Sequence, residues 1–87
     1  MRLDVRFTGE ITTEPKSGWS CVAWPDSVRA LGTGRAVKVA AAIDGHAFPI
    51  TLLPIGGMHM LPLRAAILKA IDKRVGDTVA VELQERL

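Results

Sequence analysis

The sequence predicts an all-β domain, a closed or nearly closed sheet that carries two short helices. Two observations predict it: apolar residues alternate with polar ones in several separate runs, the period of a half-buried strand, and turn-forming residues separate those runs. A third places the last elements. Residues 63–71 space their apolar side chains like one face of a helix, and Gly76-Asp77 then turns the chain into an alternating run from Thr78.

In the first run Leu3, Val5, Phe7, Gly9 and Ile11 alternate with Arg2, Asp4, Arg6, Thr8, Glu10 and Thr12. Glu14-Pro15-Lys16-Ser17-Gly18 breaks it, and residues 19–24 resume as a second strand expected to pair with the first as a hairpin. Residues 25–32 suit a short helical turn. Pro25 is tolerated in a first turn, Asp26 complements the positive helix start, and Gly32 accepts the left-handed stop. Val28 and Leu31 would plug one end of the sheet.

Residues 35–44 alternate again, with Val37, Val39, Ala41 and Ile43 on one face and small residues beside Lys38 on the other. Asp44-Gly45 is the composition of a two-residue hairpin turn, whose central residues both take positive φ. The return strand places Phe48, Ile50 and Leu52 together. Pro49 within it calls for an edge or a bulge, because proline has no N–H to donate, and Pro54 with Gly56-Gly57 ends the run. Leu63, Ala66, Ile67, Ala70 and Ile71 then form the helical stripe, with Pro62 at its start and Lys69, Lys73 and Arg74 toward its negative end. Val79, Val81 and Leu83 face inward from the last strand. The expected core is Leu3, Val5, Phe7, Val37, Val39, Ile43, Phe48, Ile50, Leu52, Ile67, Ile71, Val79 and Val81.

At 87 residues the chain is one domain with a small core, burying roughly 60 to 65 per cent of its unfolded surface. Its 48% hydrophobic and 23% charged residues fit a folded globule. One cysteine, Cys21, excludes an internal disulfide framework. The charged start Met1-Arg2-Leu3-Asp4 is unlike a signal peptide, and no apolar run is long enough to span a bilayer. A cytoplasmic bacterial protein without membrane association is the expectation. A net charge of +2 and pI of about 9.1 lean weakly toward nucleic acid, but acids and bases are interleaved as on a solvated mixed surface.

No spacing of nucleophile, base, metal ligand or phosphate loop accompanies the fold. His46, His59 between Met58 and Met60, and Cys21 could together hold a soft metal. A strand with Met58 and Met60 turned to the core and His59 to solvent explains them better, so no metal and no cofactor are expected. Asp26, Asp44, Asp72 and Asp77 lie beside turns or helix ends, where capping accounts for them. Ser20 and Ser27 have no hydrolase motif around them, and catalysis is not expected. Gly32-Thr33-Gly34-Arg35 and Gly56-Gly57 are turns rather than phosphate loops. Of Trp19 and Trp24, one is expected to lid the core and the other to lie at a rim.

Phe7-Thr8-Gly9-Glu10-Ile11, Trp19, Val22-Ala23-Trp24-Pro25, Val37-Lys38-Val39, Ile43-Asp44-Gly45 with Phe48, the run from Pro54 through Gly56-Gly57-Met58-His59-Met60-Leu61 to Pro62, Arg64, and Val75-Gly76-Asp77-Thr78-Val79 resemble an uncharacterised bacterial family, catalogued only as a domain of unknown function. The resemblance covers nearly the whole chain. It implies a small double-split β-barrel, the fold of the AbrB and MazE regulators and antitoxins, and in some members the domain precedes a bacteriocin-protection (OmpD-associated) domain. It implies no catalytic or ligand residue. AbrB-type DNA binders interlock two shorter chains and concentrate arginines on one face. This chain is long enough to build both halves itself, and its bases are spread over several elements.

The expected function is that of a non-enzymatic binding or interaction module, a monomer or weak homodimer, whose partner is an unknown small molecule or protein. Barrel mouths commonly hold ligands, which makes Trp24, Arg35, His46 and His59 the candidate site. The alternative is an AbrB-like nucleic-acid-binding regulator using Arg2, Arg6, Arg35 and Lys38.

Overall fold

A computed structural model describes residues 2–87. The elements are β1 (Arg2–Glu10), β2 (Thr12–Thr13), β3 (Ser20–Trp24), α1 (Ser27–Leu31), β4 (Val37–Ile43), β5 (His46–Ile55), β6 (Met58–Pro62), α2 (Ala65–Ile71) and β7 (Thr78–Arg86). The strands form one antiparallel sheet in the order β1-β7-β4-β5-β6-β3-β2. Its two outermost strands, β1 and β2, are consecutive in the chain and joined through Ile11 alone. That connection obliges the sheet to curl, so the fold is mainly β and barrel-like with two short helices, as expected, and the barrel takes the form of a curled seven-stranded half-barrel.

Ile11 is fully buried and acts as the corner. Its N–H donates to the Asp77 carbonyl at 2.8 Å, and its own carbonyl accepts the Gly76 N–H at 2.9 Å. The corner corrects the expected N-terminal hairpin: β1 pairs along its length with β7, and only Thr12 and Thr13 pair with β3. The long strand ends where the chain changes direction, leaving a two-residue stub for the neighbour.

The interior is filled. Val22, Val39, Ile43, Leu52, Leu61 and Leu83 are completely inaccessible, and Ile11, Val37, Ile50, Ile67, Ile71, Val79 and Val81 join them in one cluster. Leu3, Val5, Phe7 and Phe48, expected in the core, are only partly buried against it, because β1 and the start of β5 lie toward the ends of the curl. Phe7 gains cover by stacking on Trp24 at 5.6 Å between centroids, a geometry favourable for aromatic pairs. Leu31 plugs one opening as expected, whereas Val28 stays 36% exposed.

Local turn chemistry explains the best-defined parts. Asp44 and Gly45 have φ of 48° and 83°, the doubly positive pair of the predicted hairpin turn, and Gly32 stops α1 at φ 72°. α2 departs from expectation: Pro62 ends β6 instead of starting the helix, Ala66 and Ala70 are exposed, and Ile67 and Ile71 are buried in the core with Leu68 packed against it. A stripe containing alanines does not show which part of it touches the sheet. The return strand likewise continues through Pro54 to Ile55.

Asp44 also ties the turn to the opposite end of the chain. Its carboxylate accepts the Ala80 N–H at 2.8 Å and meets the Lys73 ammonium at 2.7 Å, while Lys73 also donates to the Thr78 carbonyl. The Lys73 side chain, then the Ala80 N–H, hold the Asp44 carboxyl below its ordinary pKa. A carboxyl lowered in the folded state stabilises the fold above its unfolded value of about 3.9, and that stability is lost as pH falls through the lowered value. Asp44→Asn, which still tolerates positive φ, is expected to cost about 1–2 kcal/mol at pH near 7. Urea denaturation should show the difference from the parent shrinking toward pH about 3; a penalty independent of pH would count against the ion pair.

Candidate functional site

The structure does not gather the four residues expected at a barrel mouth into an open site: Trp24 and His59 face each other across β3 and β6 in the packed interior, Arg35 meets His59 only through its backbone, and His46 lies apart. Trp24 is 6% exposed beneath Phe7, His46 is exposed beside the Asp44-Gly45 turn, and the Arg35 side chain is exposed on the loop before β4. His59 is completely buried, the reverse of the expected orientation, and Met58 and Met60 are half-buried on the other face of β6. Phase explains the reversal. His59 alternates in step with Leu61 and Leu63, both buried, and pairing with β3 and β5 fixes the strand's inward face through them.

The buried imidazole is fully partnered. Its Nε2 lies 2.7 Å from the Arg35 carbonyl oxygen, which can only accept, so Nε2 carries a proton and donates. Nδ1 lies 2.7 Å from Ser27 Oγ, and the same Oγ accepts the His59 backbone N–H at 2.6 Å. In the neutral ring the Ser27 hydroxyl donates to Nδ1, and every polar atom of the pair is satisfied. Ser27 is also inaccessible. The pair joins α1, β6 and the loop before β4, and no substrate can reach it. Arg35 and His59 therefore do meet, but through a backbone carbonyl.

The open site lies at the split between β5 and β6. Leu53, Pro54 and Ile55 pair with Met60, His59 and Met58, and there the β5–β6 ladder ends. The earlier part of β5 pairs only with β4, and the end of β6 only with β3. Proline fits that free edge. In a two-residue hairpin the closing pair, Ile43 with His46, is hydrogen-bonded, so by alternation the slot of Pro49 opposite Ala40 directs its missing N–H away from β4.

α2 enters the opening without closing it, leaving a groove of about 700 Å³. One wall is Pro49, Ile50, Thr51 and Leu53 of β5 with Lys38 of β4; the other is Leu63, Arg64 and Leu68 around the start of α2, with Trp19 at the end. Trp19 is 54% exposed, the rim tryptophan of the sequence expectation. Its backbone is fixed by the preceding loop: Glu14 N–H donates to the Trp19 carbonyl at 2.8 Å and Gly18 N–H to the Glu14 carbonyl at 2.8 Å. The Glu14 carboxylate accepts the Lys16 and Ser17 N–H groups, which hold its pKa below the ordinary value. Leu63 N–H donates to the Ser20 carbonyl at 2.9 Å, setting Trp19 and Arg64 on either side of one hydrogen bond. Arg64 caps α2 through its backbone, and its side chain makes no cap bond.

None of Trp24, Arg35, His46 or His59 lines this groove; of the residues named for nucleic acid, Lys38 does. Arg2 lies 3.0 Å from Asp4 and Arg6 3.7 Å from Glu82 on the outer face of β1 and β7, so neither is an isolated positive charge. Among the described residues no group of three or more His, Cys, Asp or Glu could hold a metal, and no helix is long and apolar enough to cross a membrane.

A small, mainly-β half-barrel with a filled interior and a lateral apolar groove is the class of protein that fold and site define. Residues 7–83 match the family described as Domain of unknown function (DUF1905), and the chain belongs to that family. No curated protein matches the chain.

Proposed function

We propose that the protein is a non-enzymatic binding module whose ligand seats in the groove between the free edge of β5 and α2. One observation carries this reading: the barrel interior is packed solid, while the sheet is left open at the split with an apolar lining. The volume falls within the range of organic-ligand sites, about 300–1,000 Å³. The buried state of Ser27 and His59 supports the non-enzymatic part, since this serine–histidine contact, the one found among the described residues, is out of reach.

Tryptophan emission tests it. Trp19 is at the groove and Trp24 is buried, so a seated ligand should shift the emission of Trp19 alone, and Trp19→Phe should abolish the response. Screening a panel of neutral and charged organic molecules, with amide shifts of Thr51, Leu53 and Leu68 followed by NMR, should yield at least one ligand. A panel that moves neither signal would remove the reading.

The nucleic-acid alternative has less support, because Arg2 and Arg6 are neighboured by carboxylates and Arg35 and Lys38 lie on other elements. Anisotropy with labelled duplex DNA is expected to show no salt-steep binding. A log–log salt slope of several units, reduced by Arg6→Ala, would favour that alternative instead.

A further inference from the structure

We propose that the ligand of the β5–α2 groove is an amphipathic organic anion, an apolar body carrying one carboxylate, sulfonate or phosphate group. This rests on the groove being the binding site and adds the chemistry of what it takes. The lining contains two cationic side chains, Lys38 and Arg64, and no carboxylate. The cations come from opposite walls, Lys38 from β4 in register with Thr51 and Arg64 from the start of α2. Both are exposed, and neither is in an ion pair among the described residues, where the close pairs engage Arg2, Arg6 and Lys73.

The outer face of β1 and β7 sets Arg2 and Arg6 among Asp4, Glu82 and Glu85. The groove differs in kind from that face: its floor is apolar, and among the described residues that line it the two charged side chains are both positive. An apolar body gains by leaving water against Trp19, Leu53 and Leu68, and an anionic head gains charge-assisted hydrogen bonds from the two side chains. A neutral ligand of the same shape gains the first only. A cation would be repelled by both.

Two fluorescent probes that differ by the head group alone separate these contributions: anilinonaphthalene sulfonate and the uncharged phenylnaphthylamine of the same skeleton. The sulfonate is expected to bind at least about tenfold tighter and to move the amide signals of Thr51, Leu53 and Leu68. Lys38→Gln and Arg64→Gln should each weaken the sulfonate by about fivefold to tenfold and leave the neutral probe unchanged. Both residues are exposed, so the variants are expected to fold, with thermal unfolding as the check. Raising salt from about 20 to about 200 mM should weaken the sulfonate only.

Equal affinities for the two probes, or equal losses in both variants, would overturn the anion assignment while leaving groove binding intact. Failure of both probes to reach the groove would overturn both readings. Self-association that blocks the groove would overturn them too, and would assign it to a second copy of the chain.

Discussion

His59→Ala is expected to destabilise the protein by about 3–5 kcal/mol, from a cavity left by a buried ring and from polar groups stranded without water. The Arg35 carbonyl would lose its donor, and the Ser27 hydroxyl would lose the Nδ1 to which it donates. Both lie in the seal between α1, β6 and the loop before β4. Against a total stability of about 5–15 kcal/mol for an ordinary domain, that loss is a large fraction. Ser27→Ala should cost less, about 1–3 kcal/mol, because it strands Nδ1 and one backbone N–H but leaves a smaller void. The two losses should not add, since both break the same contact. Urea denaturation of the single and double variants measures this. A loss below about 1 kcal/mol for His59→Ala would show that water or neighbouring groups take over its contacts.

His59 also shows where sequence and structure part. Its immediate neighbours, Met58 and Met60, suggest that apolar residues face inward and histidine outward. The wider phase, His59 with Leu61 and Leu63, points the other way, and long-range pairing chooses between two faces that local hydropathy leaves nearly even. The β4–β5 hairpin was legible because its decisive residues, Asp44 and Gly45, act on their own backbone. The partner of β1 was not, because pairing with β7 joins strands about as far apart as the chain allows.

The groove was hidden for a related reason: it is a gap in pairing, created where the β5–β6 ladder stops after Leu53 and Met60, and no residue type marks such an end. That one of Trp19 and Trp24 would lie at a rim was legible, but which of the two was not. Arg64 carried no signal of its own, since an arginine at the start of a helix is ordinary until the opposite wall supplies Lys38. Selecting Trp24, Arg35, His46 and His59 by side-chain chemistry mixed two residues that pair in the packed interior, Trp24 and His59, with two whose side chains are exposed, Arg35 and His46.

Gly9→Ala should lower stability by about 1–3 kcal/mol, and Gly9→Val by more, through overpacking. Gly9 lies on the inner face of β1 beside Phe7, in register with Val79 on β7. Its other neighbour is β3, at the far side of the sheet order, and a Cβ added at Gly9 would collide with the Val22 side chain. Val22 is fully buried and branched at Cβ, so it has few rotamers to which it can retreat. The residue is thus glycine for lack of room: the curl brings β1 against β3, and a missing side chain lets the two ends of the sheet approach. The explanation makes its own control. Val22→Ala leaves a void and destabilises alone, but combined with Gly9→Ala it makes space for the new methyl, so the double variant should be more stable than the sum of the two losses predicts, by about 1 kcal/mol or more. Additive losses in urea denaturation would mean that the closure of the curl does not depend on this contact.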